Sequence, residues 1–205
     1  MPKRKRKQPK GSLIPFVVES TAKGERAYDI YSRLLEDRII FLGEQIDDET
    51  ASTVIAQILL LRLQDQKKDI SIYVMCRGGA VNSTLAIYDT MQFVRNDIAT
   101  YCLGHASSGG ALLLAAGTPG KRFALPSSRI MIHQPWGGAC GDATSIQIEA
   151  EEINVARQMI CERLAKHCGK EFATINKDCE RDHFMSAKEA KAYGLIDKVV
   201  DQCHK

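Results

Sequence analysis

Short β-branched runs alternate with stretches of helical period between Arg38 and Ala116, and no other feature narrows the possible folds as much. Arg38–Leu42 is a β-branched and aromatic run closed by Gly43, as suits a buried strand. Asp48 can cap a helix through Val54, Ile55, Ile58, Leu59, Leu61 and Leu63, which ends where Gln64–Lys68 turn polar. A strand over Ile70–Met75 leads to Gly78-Gly79. A helical stretch from about Ser83 to Val94, a strand over Ile98–Leu103 and a small-residue helix from about Ser108 to Ala116 follow. The order β, α, β, α predicts an α/β fold with a largely parallel sheet and right-handed crossovers.

Flanking segments extend this pattern. Leu13–Glu19 is a short apolar stretch, and Ala27, Ile30, Tyr31, Leu34 and Leu35 recur at helical spacing, predicting an amphipathic helix over Glu25–Leu35. Arg122–Leu125 and Ile130–Ile132 are further strand candidates. Beyond the glycines 137, 138 and 141, a long helix is expected over roughly Ser145–His167, with Gly169 just past its end. Ser186 and Glu189 form a capping box, and Gly194 ends the short helix they begin.

Composition excludes several function classes. Six of the 28 basic side chains fall within Met1–Gly11, which holds no acid, so the remainder carries 22 basic against 25 acidic residues. The body of the chain therefore offers no basic surface for nucleic acid, and residues 1–12 read as a basic tail ahead of one enzyme-sized domain over 13–205. No run approaches the roughly 20 apolar residues of a membrane span. The seven cysteines are scattered without a C-x-x-C pair and read as free thiols of a reducing, cytoplasmic compartment. The five histidines make no metal set, so neither a metal nor another cofactor is expected.

The candidate chemistry lies in Cys102-Leu103-Gly104-His105-Ala106-Ser107-Ser108-Gly109-Gly110-Ala111, which leaves a strand, turns through small residues and enters a helix. Ser108 at that junction would stand near exposed N–H groups able to stabilise an oxyanion, with Gly109 one donor and the Gly78-Gly79 turn another. A serine in such a turn is equally an N-cap, and glycine follows Ser108 at the second position but does not precede it there, so only half of the α/β-hydrolase elbow pattern is met. A nucleophile also needs a base and a group that orients it. His133 ends an apolar strand ahead of Gln134-Pro135, with His105, His167, His183 and His204 as rivals. For the orienting acid, Asp178, Glu180 and Asp182 stay open on spacing alone.

Several stretches resemble the ClpP family of ATP-dependent protease subunits: residues 24–35 (GERAYDIYSRLL), 87–93 (IYDTMQF), 129–135 (RIMIHQP), 180–187 (ERDHFMSA) and 192–197 (AYGLID). The likeness runs from about Leu13 onward. It implies Ser108 as nucleophile, rather than Ser107, with His133 as base, Asp182 as acid, and the backbone N–H groups of Gly79 and Gly109 as oxyanion donors. It further implies a crotonase-like spiral of βαβ units with an extended handle helix, and a homo-oligomeric barrel of two stacked seven-membered rings degrading polypeptides. A Gly-rich strand around Gly137–Gly141 and the following helix would join the rings, and Arg181 would couple assembly to catalysis. The implied partner is a hexameric AAA+ unfoldase of the ClpX, ClpA or ClpC type, docking at pockets to which Tyr73, Phe93 and Phe123 correspond. This chain has no G-x-x-x-x-G-K-[ST] motif of its own.

Two departures stand out: Cys76-Arg77 replaces the family's usual Ser-Pro, and Gly109 replaces the usual methionine. The alternatives to an active peptidase are a catalytically weak ring subunit of a mixed barrel and a crotonase-like acyl-CoA enzyme.

Overall fold

In the computed structural model, which describes residues 14–21 and 24–201, the chain forms two compact units, one ending at Asp37 and the other beginning at Arg38. In the first, β1 (Phe16–Thr21) pairs antiparallel with β2 (Gly24–Asp29), Phe16 opposite Asp29. Asp29 then caps α1 (Ile30–Glu36), its carboxylate accepting from the N–H groups of Tyr31 and Ser32 at 3.0 Å. This corrects the single helix expected over Glu25–Leu35. The first half of that segment has a partner strand in β1, and the N-cap lies five residues later than the apolar spacing suggested. The basic tail, Cys203 and His204 lie outside the described residues.

The second unit is built on a seven-stranded sheet. β3 (Ile39–Leu42), β4 (Ile70–Cys76), β5 (Ile98–Ser107) and β6 (Arg122–Ala124) run parallel in sequence order, and β9 (Lys198–Val199) closes the edge beside β6. The crossovers are α2 (Asp48–Gln64), α3 (Val81–Phe93) and α4 (Gly109–Ala115). Every second residue of β4 is buried, and Ile40, Leu42, Ile58, Leu61, Ile70, Ile72, Ile87 and Ile98 are among the side chains with almost no exposure. Burial of each contributes about 1.5–3 kcal/mol. From Gly110 to Ala115 every residue of α4 is buried, which is why its sequence shows no polar face. Asp47, one residue before the cap expected, accepts from the N–H of Thr50 at 2.8 Å.

β7 (Arg129–Ile132) leaves the main path. It pairs parallel with the far end of β5, Ser107 opposite Met131, and antiparallel with β8 (His183–Ser186), Ile132 opposite His183. Residues 133–140 are neither helix nor strand, which corrects the Gly-rich strand expected around Gly137–Gly141. No segment among the described residues pairs with it, and glycine brings little side chain for a strand to pack.

α5 (Ala143–Cys168) is 26 residues long, capped by Asp142 and ended by Gly169 at φ 64°. Its buried residues, Cys161, Leu164 and Ala165, all lie in its last third, while Ile146, Ile148 and Val155 stay 45%, 56% and 48% exposed. The first half of the helix thus forms a handle with bare apolar residues on more than one side. α6 (Phe172–Asp178) and α7 (Ala187–Tyr193) complete the unit, the latter begun by the Ser186–Glu189 capping box.

Candidate active site

Because parallel strands with helical crossovers leave a crevice at their carboxyl ends, the ends of β4, β5 and β7 are where a site should form. Each brings one expected group there. β5 ends at Ser107, and Ser108 follows with φ 55° and ψ −123°. A non-glycine residue in that region carries strain of about 1–3 kcal/mol and persists only where its surroundings impose it. Here they do: the Ser108 N–H donates to the Met131 carbonyl of β7 at 2.8 Å, and Gly78 of the next strand end lies directly against it. A Cβ on Gly78, itself at φ 89°, would stand 2.7 Å from Ser108 Cβ and 2.8 Å from the Gly109 nitrogen.

Ser108 occupies the N-cap position of α4, yet its side chain makes no capping hydrogen bond. Its backbone carbonyl accepts from Ala111 and Leu112, while the hydroxyl is left to the cavity that Ser108 lines. A capping serine would have spent that oxygen on the helix. Ser107 stays within β5 and does not line the cavity.

The register of β7 against β8 places His133, one residue past Ile132, beside Asp182, one residue before His183. His133 Nδ1 lies 3.0 Å from Asp182 Oδ1. Two further bonds tie these segments together: the Gln134 N–H donates to the Cys179 carbonyl at 2.6 Å, and Gln134 Nε2 to the Glu180 carbonyl at 3.0 Å. Cys179 is held in turn by burial against Cys161, and its hydrogen bond with Cys161 together with burial pushes its thiol pKa up. Of the three acids left open by spacing, Asp182 alone reaches His133. Asp178 accepts from the Tyr193 hydroxyl at 2.8 Å instead.

The rival histidines have other surroundings. His167 Nε2 meets the Tyr88 hydroxyl at 2.9 Å, and burial, aided by Lys166 and Arg122, lowers its pKa to about 4, so this half-buried ring stays neutral. His183 packs edge-on against Tyr193. His105 lines the cavity, but among the described residues it has no carboxylate partner.

Gly79 is fixed by a single parallel bridge to Ile46: the Ile46 N–H donates to the Gly78 carbonyl at 3.0 Å and the Ala80 N–H to the Ile46 carbonyl at 2.8 Å. In that pattern the N–H of Gly79 itself faces away from Ile46. Neither it nor the Gly109 N–H donates to a protein acceptor among the described residues, and both glycines line the same cavity as Ser108 and His133, of about 720 Å³. Gly109 also answers a departure noted in the sequence. A Cβ there would meet Thr84 Oγ1 at 2.5 Å, so in this chain α3 fills the space a methionine would need.

The other departure, Cys76, replaces a hydroxyl with a thiol that still pins the turn. Its Sγ donates to the Glu44 carbonyl at 2.9 Å and accepts from the Gly78 N–H at 3.2 Å. Burial raises its pKa, so it remains a protonated donor. Losing a proline frees a turn, and these two bonds restrain this one from the residue before Arg77.

A family model described as Clp protease matches residues 22–203 of the chain, a span that includes every residue of this cavity. The chain belongs to the Clp protease family. Clp proteases are serine peptidases that act on peptides and assemble as oligomers. The mixed α/β architecture with its parallel-dominated sheet accords with that membership. Among the described residues no helix is long and apolar enough to cross a membrane, and no group of histidine, cysteine and carboxylate side chains is arranged to hold a metal ion.

Sequence reasoning missed the contributions of Thr84, Gln134 and the Cys179 carbonyl to this Clp protease site. Their roles depend on which segments become neighbours. The one available signal was the apolar pair Phe184-Met185 just after the acidic 178–182 cluster, too short to display a strand period.

Proposed function

We propose that this chain is the proteolytic subunit of an ATP-dependent Clp protease, a cytoplasmic serine endopeptidase that cuts unfolded polypeptides into short peptides inside a barrel of two stacked heptameric rings. Residues 13–205 form the peptidase domain, and 1–12 a tail or propeptide. Ser108 attacks the scissile carbonyl, His133 takes the hydroxyl proton and returns it to the leaving amine, and Asp182 orients the imidazole. The N–H groups of Gly79 and Gly109 receive the developing oxyanion, and water then releases the acyl group.

The observation that carries this reading is the 3.0 Å contact of His133 Nδ1 with Asp182 Oδ1, beside a strained serine whose hydroxyl caps nothing. A carboxylate can only accept, so Nδ1 carries the proton and Nε2 is left free as the base. A fluorophosphonate probe should label the wild-type protein and Ser107→Ala at Ser108, and leave Ser108→Ala unlabelled. Labelling that survives in Ser108→Ala would sink the assignment.

Assembly is supported by the exposed apolar residues Ile146, Ile148 and Val155 of α5 and by Asp182, whose side chain is 58% exposed although its role would need a shielded carboxylate. No hydrogen bond joins Ser108 to His133 among the described residues, so the two groups must come within hydrogen-bond reach before reaction. Specific peptidase activity should therefore rise with protein concentration and parallel the oligomer fraction seen by native mass spectrometry. Activity per chain independent of dilution down to the monomer would contradict this. A AAA+ unfoldase would dock near Phe93, 67% exposed under the Arg62 guanidinium, and near the stack of Tyr73, Tyr101 and Phe123.

A further inference from the structure

Arg77 stands between two constrained residues. Cys76 before it is buried and tied to Glu44 through Sγ, and Gly78 after it presses against Ser108, so the backbone that carries Arg77 is pinned on both sides. The residue itself is exposed, lines the cavity, and takes part in none of the ion pairs among the described residues. Arg77 lies two residues before Gly79, and adjacent Cα atoms are about 3.8 Å apart, so its guanidinium can reach a side chain flanking any carbonyl seated at the Gly79 N–H.

Among the described residues, one other fully charged side chain lines this cavity, Glu44. It follows β3, whereas Arg77 follows β4, the strand adjacent to β5 and Ser108. With strands about 4.8 Å apart, Glu44 is one strand farther from the nucleophile. His105, also in the lining, adds a ring nitrogen on the β5 side and no negative charge at any pH. The residue next to the scissile bond therefore meets a cation before it meets an anion.

Resting on the peptidase reading above, we infer that Arg77 is a specificity-determining residue, which makes this enzyme favour peptides carrying aspartate or glutamate beside the bond that is cut. The apolar part of the cavity, from Leu112, Ile132 and Trp136, takes neighbouring apolar side chains, and the guanidinium receives the carboxylate through paired N–H donors.

The test separates recognition from chemistry. Full-chain Ser108→Ala protein is titrated with fluorescent peptides identical except for Glu, Gln or Lys at each of the two positions before the scissile bond, and kcat/KM for the same peptides is measured with Ser108 intact. The Glu peptide should bind about fivefold tighter than the Gln peptide, with Lys weakest, and the advantage should shrink at high salt. Arg77→Gln should erase the difference, Arg77→Lys should keep part of it, and Glu44→Gln should widen it. Equal binding and turnover of the Glu and Gln peptides, or a preference that Arg77→Gln leaves in place, overturns the inference while the peptidase reading stands. A Glu preference in binding without any turnover by the Ser108 protein strikes the peptidase reading and leaves the role of Arg77 supported.

Discussion

Asp182→Asn is expected to lower kcat by about 10⁴-fold with little change in KM or in thermal stability. The reason is the tautomer. An aspartate beside His133 Nδ1 can only accept, so the ring proton stays on Nδ1 and Nε2 keeps its lone pair. An asparagine can turn its NH₂ toward Nδ1, which moves the proton to Nε2 and leaves nothing to receive the serine proton. Stability should hardly respond, because the Asp182 side chain is 58% exposed and bonds only to His133 among the described residues. Glu180→Gln is the matched control: it is two residues away and contributes its backbone carbonyl to Gln134, which the substitution preserves. Peptide turnover and the rate of fluorophosphonate labelling should fall together in Asp182→Asn and stay within about twofold of wild type in Glu180→Gln. A loss of less than about tenfold in Asp182→Asn, or an equal loss in Glu180→Gln, would remove Asp182 from its proposed role.

The same contact shows what a sequence can and cannot disclose. From β3 to α4 the chain is legible because each strand is a short β-branched run closed by a polar or glycine break, and each crossover carries its own apolar period. Local pattern and tertiary burial agree there. They part company at residues 24–35, where helical spacing competed with a hairpin partner that no single-segment period can reveal. They part again at His183–Ser186, where four residues are too few to display a period, although the pairing of Ile132 with His183 decides which acid meets His133. The choice of Asp182 came from a family resemblance, and spacing among Asp178, Glu180 and Asp182 could not make it. Ser108 was likewise ambiguous between cap and nucleophile, because the distinction lies in where the hydroxyl points and in a φ of 55°.

Gly79→Ala should be the most damaging single-methyl change in the site. Its new Cβ would stand 1.9 Å from the Ile46 carbonyl oxygen and 2.7 Å from the Ile46 carbon and nitrogen, all backbone atoms with no rotamer to escape into. Relief requires parting the bridge, with loss of the Ile46 to Gly78 and Ala80 to Ile46 hydrogen bonds, worth about 1 kcal/mol each. For a domain of this size that corresponds to a fall in Tm of about 4–8 °C. Parting the bridge also swings away the Gly79 N–H, and loss of one oxyanion donor costs about 10²–10³ in kcat. Gly109→Ala makes the informative comparison. Its Cβ would meet Thr84 Oγ1 at 2.5 Å and Cγ2 at 2.9 Å, both side-chain atoms, so Thr84→Ala in the same protein removes the clash and should restore most of the activity. No side-chain substitution at Ile46 can do this for Gly79→Ala, since the obstacle is its peptide group. Recovery of Gly79→Ala by an Ile46 side-chain variant, or near-normal kcat in Gly79→Ala alone, would mean that the Gly79 N–H is not where the oxyanion is held.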